Sequence, residues 1–132
     1  MATGYHELYE ELSPLTRDQH RALTSMMEEL QAVDWYNQRV AVTPDEELKA
    51  ILAHNRDEEM EHAMMLLEWL RRNMPPFEEK MKPYLYASGS ILAQEKQVRQ
   101  AGATPSTSPT PPTPPAAESL GVGQAVKGTE SW

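Results

Sequence analysis

Two long amphipathic segments joined by almost nothing constrain this chain more than any other feature. In each, seam positions recur at alternating spacings of three and four, the period of a helix packing along one stripe. The first stripe is Ala22, Met26, Glu29, Val33, Tyr36 and Val40. The second is Leu48, Leu52, Asn55, Glu59, His62, Leu66 and Trp69. Ser13-Pro14 supplies a polar N-cap with proline at the first helical position, and the first helix is expected to run to about Val42. Thr43-Pro44-Asp45-Glu46 reads as a capping box opening the second helix, with the Thr43 hydroxyl accepting from the third backbone N–H and Glu46 reaching back. Arg71-Arg72-Asn73-Met74-Pro75-Pro76 closes it, because cations suit the negative end of the helix dipole and prolines stop propagation. A connection this short packs its helices antiparallel. The expected fold is all-α: an antiparallel two-helix hairpin, followed by a weaker helical region over residues 77–100 that Pro83 and Gly89 interrupt.

Three polar residues stand where a packing seam should be apolar. Glu29, Glu59 and His62 lie on the stripes, and a carboxylate buried there costs several kcal/mol unless a charge partner or a metal compensates it. Glu29 and Glu59 are equally far from a turn centred near Thr43 and Pro44, so they should face one another. His62 follows Glu59 by three, one turn along the same face. All three side chains are therefore expected at one level, roughly 20 Å from the turn. Glu59-Met60-Glu61-His62 is a Glu-x-x-His motif. Di-iron carboxylate bundles take a lone Glu from each of two helices and a Glu-x-x-His from each of the other two. This chain carries half of that set, and a second copy related by a two-fold axis would supply the rest, making a four-helix bundle. Carboxylates and an imidazole without thiolate suit iron, manganese or zinc.

The bland alternative is that a seam Glu or His pairs with an Arg from another helix. Tyr36, two turns from Glu29, is either a core aromatic or a hydrogen-bond donor or radical sink beside the metal. Trp35 reads as packing or interface. Glu28 faces away from the seam, as a solvated helix residue. His54 and Glu58, four apart, can pair at the surface. Met26, Met27, Met64 and Met65 read as adaptable core.

The chain has 132 residues, no cysteine, and a formal charge of −8 from 20 acidic and 12 basic residues. It can form neither a disulfide nor a thiolate metal site, and the acidic balance disfavours nucleic acid and anionic lipid while attracting cations. No basic-then-apolar leader opens the sequence, and the most apolar run, residues 63–70, is too short to span a bilayer. The expected organisation is a folded domain over residues 1–102, a Pro-rich flexible linker over residues 103–117, and a short tail over residues 118–132.

Two runs carry a resemblance. Met26-Met27-Glu28-Glu29-Leu30-Gln31-Ala32-Val33-Asp34-Trp35-Tyr36 and Leu52-Ala53-His54-Asn55-Arg56-Asp57-Glu58-Glu59-Met60-Glu61-His62 closely resemble the encapsulated ferritin family. The resemblance implies a half-ferritin whose dimer holds a di-iron ferroxidase centre. It also implies dimers joined into a ring-shaped decamer, carried as cargo inside an encapsulin nanocompartment in the bacterial cytoplasm. There Fe(II) would be oxidised to Fe(III), with O2 as acceptor, for iron storage and detoxification. Carried over, Glu29, Glu59 and His62 are iron ligands, Tyr36 and Trp35 stand beside the site, and Glu28 is an outer metal-attracting residue. Gln31 replaces a second acid that the family often has. Ser119-Leu120-Gly121-Val122-Gly123 looks similar to the encapsulin-targeting peptide, with Leu120 and Val122 as the shell contacts and Ala125 and Val126 departing from its usual pattern. Two rival functions fit the same hairpin. One is a di-iron enzyme reducing peroxide or oxygen, disfavoured because no rubredoxin-like cysteine pair is present to feed electrons. The other is a non-catalytic helical adaptor.

Overall fold

A computed structural model describes residues 4–103 of the chain, and side chains through residue 102. Residues 104–132, which hold the expected linker except its first residue, Ala103, and the tail with Leu120 and Val122, lie outside the described residues. Helix α1 spans Pro14–Val42 and helix α2 spans Glu46–Asn73. They pack together as the expected hairpin, and no strand occurs among the described residues. The chain divides into two compact units, Met1–Gln94 and Glu95–Trp132, and the hairpin lies wholly in the first. The expected third helical region resolves into α3, Pro76–Met81, and α4, Ile91–Ala103. Between them Tyr86 and Gly89 both adopt positive φ, where a Gly is at ease and a Tyr is not.

The Ser13 cap forms as read: its Oγ accepts the Thr16 N–H at 3.1 Å. Ahead of it, a 3-10 turn at Tyr9–Glu11 is lashed to α1 by Arg17, which donates twice to the Tyr9 carbonyl and lies 3.7 Å from the Tyr9 ring centroid.

The capping box at Thr43 does not form. Asp45 is the N-cap of α2, its carboxylate accepting the Leu48 N–H at 2.8 Å. Thr43 instead belongs to the end of α1, where its hydroxyl donates to the Arg39 carbonyl at 2.6 Å. Backbone conformation does not separate the two, since Thr43 and Asp45 are both extended, each with ψ 119°. The Asp45 carboxylate is a charge-assisted acceptor at the positive end of the helix, which a neutral hydroxyl does not match.

The hairpin by itself makes very little core. Only Ala22, Ala63 and Leu70 are buried among the described residues, the last two with no exposed surface. The expected α2 stripe runs along the edge of the helix contact: Leu52, Asn55, Glu59, Leu66 and Trp69 are half-buried, and Leu48 and His62 are exposed. Large apolar side chains stand open on both helices, among them Leu23, Met27, Leu30 and Trp35 on α1 and Leu48, Ile51, Met60, Met64 and Met65 on α2. Monomeric soluble proteins rarely leave so much contiguous apolar surface uncovered.

Candidate metal centre

Glu29 follows the buried Ala22 by seven residues, two turns along one stripe of α1. Glu59 precedes the buried Ala63 by four, so it too is turned toward the opposite helix. His62 stands one residue before Ala63 and is rotated to the open side. Its imidazole Nδ1 lies 3.3 Å from Glu59 Oε2 and 3.7 Å from Glu29 Oε2. One potential ligand atom from each of the three residues falls within 4.8 Å of the others. The expected convergence of Glu29, Glu59 and His62 at one level is therefore what the helices produce, and no other such group of three occurs among the described residues.

The three are not sealed in. Glu29 and Glu59 are 27% and 24% exposed, and His62 is 49% exposed. No charged or polar residue is fully buried among the described residues. Within a single hairpin the acids escape the full desolvation cost that a closed seam would impose. What remains of it is offset by the proximity of His62, which hydrogen-bonds Glu59 and lies 3.7 Å from Glu29. Glu29 is held above the usual carboxylate range, first by its hydrogen bond with Glu59 and then by partial desolvation. Glu59 is correspondingly held below that range, first by Glu29 and then by His62. His62 is raised, chiefly by its bond to Glu59, with the charges of Glu29, Glu59 and Glu58 adding to it. Two close carboxylates and an imidazole that favours its charged form make a cluster that protons hold together. The same electron pairs suit a hard or borderline divalent cation, and the absence of thiolate matches iron, manganese or zinc.

The remaining site candidates stand outside the cluster. Tyr36 is half-buried, and the Arg39 guanidinium lies 5.3 Å from its ring centroid. Trp35 is half exposed and lines an open cleft of about 310 Å³ with Gln38 and Arg39. Glu28 is exposed and Gln31 half-buried. His54 and Glu58 form the surface pair expected of them, at 2.9 Å. Two interactions escaped the reading of the sequence. Arg56 on α2 donates to Asn37 on α1 at 3.0 Å. Glu68 binds both Arg71 and Arg72, and Arg71 reaches Glu78 in the first turn of α3. The only signal for the first was a cation three residues before Glu59, on the side of α2 that faces its partner.

The chain matches the EncFtn-like family over residues 4–88. It is 55% identical over 97 residues to a ferritin-like protein of Thermotoga maritima, covering 74% of this chain and 85% of that one. It is 58% identical over 90 residues to an encapsulated ferritin-like protein of Rhodospirillum rubrum, covering 68% of this chain and 64% of that protein's length. A similarity of 36% over 83 residues links it to the encapsulin nanocompartment cargo protein EncC of Myxococcus xanthus, covering 59% of this chain and 64% of that one. Among solved structures, a protein of Nitrosomonas europaea superposes with a TM-score of 0.64 at 61% identity, over 67% of this chain and 97% of the other.

Proposed function

This chain belongs to the EncFtn-like family, and from that premise we propose that it is a ferroxidase whose di-iron centre is completed by a second copy of the chain. The observation that carries the reading is the half-set of ligands, Glu29, Glu59 and His62, gathered within 4.8 Å on a half-open helix face. A two-fold partner laid on that face brings a second Glu and a second Glu-x-x-His, which is the ligand inventory of di-iron bundles. Closing the face also covers apolar surface that one hairpin leaves exposed, Leu48 and Ile51 included.

Fe(II) is the substrate and dioxygen the electron acceptor; the irons do the redox work. The chain contributes carboxylate ligands, an imidazole and a shaped, increasingly dry pocket as the partner closes. Glu28 and Tyr36 keep minor roles in this reading, the first attracting cations from solvent and the second standing beside the centre. Leu23, Met27 and Leu30 on α1, with Met60 and Met64 on α2, remain exposed apolar surface, and they support assembly beyond the dimer into a ring-shaped decamer. The encapsulin relationship of the relatives supports a role as nanocompartment cargo in a bacterial cytoplasm, with the tail over residues 118–132, through Leu120 and Val122, as the shell contact and the linker over residues 103–117 as its tether.

The test is Fe(II) oxidation by Glu29→Ala, Glu59→Ala and His62→Ala, with metal content and solution mass measured on the same samples. Loss of oxidation and of bound iron in each variant is expected. Wild-type rates in all three would end the proposal.

A further inference from the structure

Outside the carboxylate–imidazole cluster, two side-chain hydrogen bonds cross between α1 and α2 among the described residues. The Gln19 amide donates to the Asn73 carbonyl at 2.8 Å, at the open end of the hairpin. The Arg56 guanidinium donates through Nη1 to Asn37 Oδ1 at 3.0 Å, on the side nearer the turn. They bracket Glu29, which is ten residues from Gln19 and eight from Asn37, about 15 Å and 12 Å along the helix.

We propose that Arg56, held in place by Asp57, is a positioning residue. It sets the roll of α2 about its own axis through Asn37, and with it the aim of Glu59 and His62 at Glu29. The inference rests on the metal-site reading above. Arg56 is only 23% exposed and precedes Glu59 by one helical turn. Its Nε donates to Asp57 Oδ1 at 3.0 Å, and Nη2 makes an ion pair with the same oxygen at 2.9 Å. That grip fixes the plane of the guanidinium and leaves Nη1 directed across to α1. The fork is needed for this: a lysine has one nitrogen and cannot hold Asp57 and reach Asn37 in the same planar geometry.

A directional tie matters here because the local packing offers little grip. The buried residues nearest the cluster are Ala22 and Ala63, and contact between methyl groups is nearly non-directional. The short turn fixes how far α1 can slide past α2 but controls rotation weakly at Glu59, 13 residues into the helix. A side-chain atom about 5–6 Å from the helix axis moves about 1 Å for a roll of about 10°. Ligand constellations tolerate about 0.5 Å. A small roll is therefore enough to spoil the site while leaving the hairpin folded.

The experiment uses the full-length chain with Co(II) as a spectroscopic probe, comparing affinity and the visible ligand-field spectrum with the melting of metal-free protein. Asn37→Leu and Arg56→Lys should each weaken Co(II) binding by about tenfold, the low end for outer-shell partners, and change the spectrum. The double variant should be no weaker than either single one, since one bond is being removed. Asn37→Asp, which keeps the acceptor, should retain wild-type affinity. Helical content and metal-free melting should change little in all four. Unchanged Co(II) affinity in Asn37→Leu and Arg56→Lys, beside a wild type that binds, overturns this inference alone. Affinity losses that simply track lost metal-free stability overturn it too. A wild type that binds no Co(II) overturns the metal-site reading and this inference with it.

Discussion

Substituting Ala63 by Leu should separate the effect of helix spacing on the site from its effect on stability. Ala63 has no exposed surface and stands between Glu59, four residues earlier, and Leu70, seven later, on the stripe of α2 that meets α1. The three added carbons have no route to solvent, so either the rotamer is strained or α1 moves away. Helix axes pack about 8–10 Å apart according to the side chains between them, and replacing the smallest side chain by a large one shifts the pair by about 1–2 Å. Metal–carboxylate bonds are about 2.0–2.2 Å long. A shift of that size takes Glu29 out of reach of an ion held by Glu59 and His62. Overpacking of this kind costs about 1–3 kcal/mol, which lowers the melting midpoint of a domain this small by about 5–20 °C. Ala63→Gly is the control. It loses about 0.5–1 kcal/mol of helix stability but lets the helices keep their approach. Calorimetry of metal-free protein and Fe(II) titration of both variants should give a destabilised protein that keeps its metal for Gly, and one that loses it for Leu. An Ala63→Leu variant that binds Fe(II) as tightly as Ala63→Gly would refute the reasoning.

Three further outcomes follow from single contacts. Asp45→Ala should cost about 1 kcal/mol of hairpin stability and Asp45→Asn much less, read from urea midpoints, because the Asp45 carboxylate and not the Thr43 hydroxyl caps α2. Glu68 is held down to about 2, first by Arg71 and then by Arg72; since this folded value lies below the unfolded one near 4.5, its stabilisation is full above about pH 4.5 and lost as pH falls toward 2. Glu68→Gln should remove that part of the acid limb, seen as a difference in melting between wild type and variant that closes with falling pH. Finally, saturating Fe(II) at about 100 times its dissociation constant should tighten dimerisation by up to about 100-fold per ion bound only by the dimer; sedimentation equilibrium with Fe(II) and with chelator checks it, and equal dimer affinity in both would count against a shared site.

What the sequence made legible was what local chemistry determines. Ser13-Pro14 and Arg71-Arg72-Asn73 mark helix ends because caps and dipoles act within one turn. Glu59 and His62 share a face because helical periodicity alone puts them there, and Glu29 meets them because the connection is too short to allow another level. The cap of α2 was misplaced because Thr43 and Asp45 both offer an oxygen to the same helix end. The charge of the Asp45 carboxylate at the positive helix end decides between them. The interior line of Ala22, Ala63 and Leu70 was partly missed for a different reason. Bulky residues were used to trace the α2 seam, whereas the closest approach of two helices is lined by small ones. The bulky seam residues flank that line and face outward as much as inward. The Asn37–Arg56 bond depends on rotamers of two long-range partners, 19 residues apart, and no spacing rule reaches it.

The partial exposure of Glu29 and Glu59 also changes the energetic argument for a metal. A closed seam would demand a cation at once, because unpaired acids in an apolar interior are costly. In the hairpin they remain partly open to water, with Glu59 hydrogen-bonded to His62 at 3.3 Å and Glu29 3.7 Å from the same nitrogen, so a single chain does not demand an ion. The demand appears only when the open face is covered. A second copy laid there removes the water that solvates four carboxylates, and like charges at that distance cannot all stay ionised without compensation. Covering the apolar flanks favours association while crowding the acids opposes it, and a divalent ion bound between them shifts that balance. On the proposed shared site, the same three residues would oppose the pairing of metal-free hairpins and favour it once an ion binds between them.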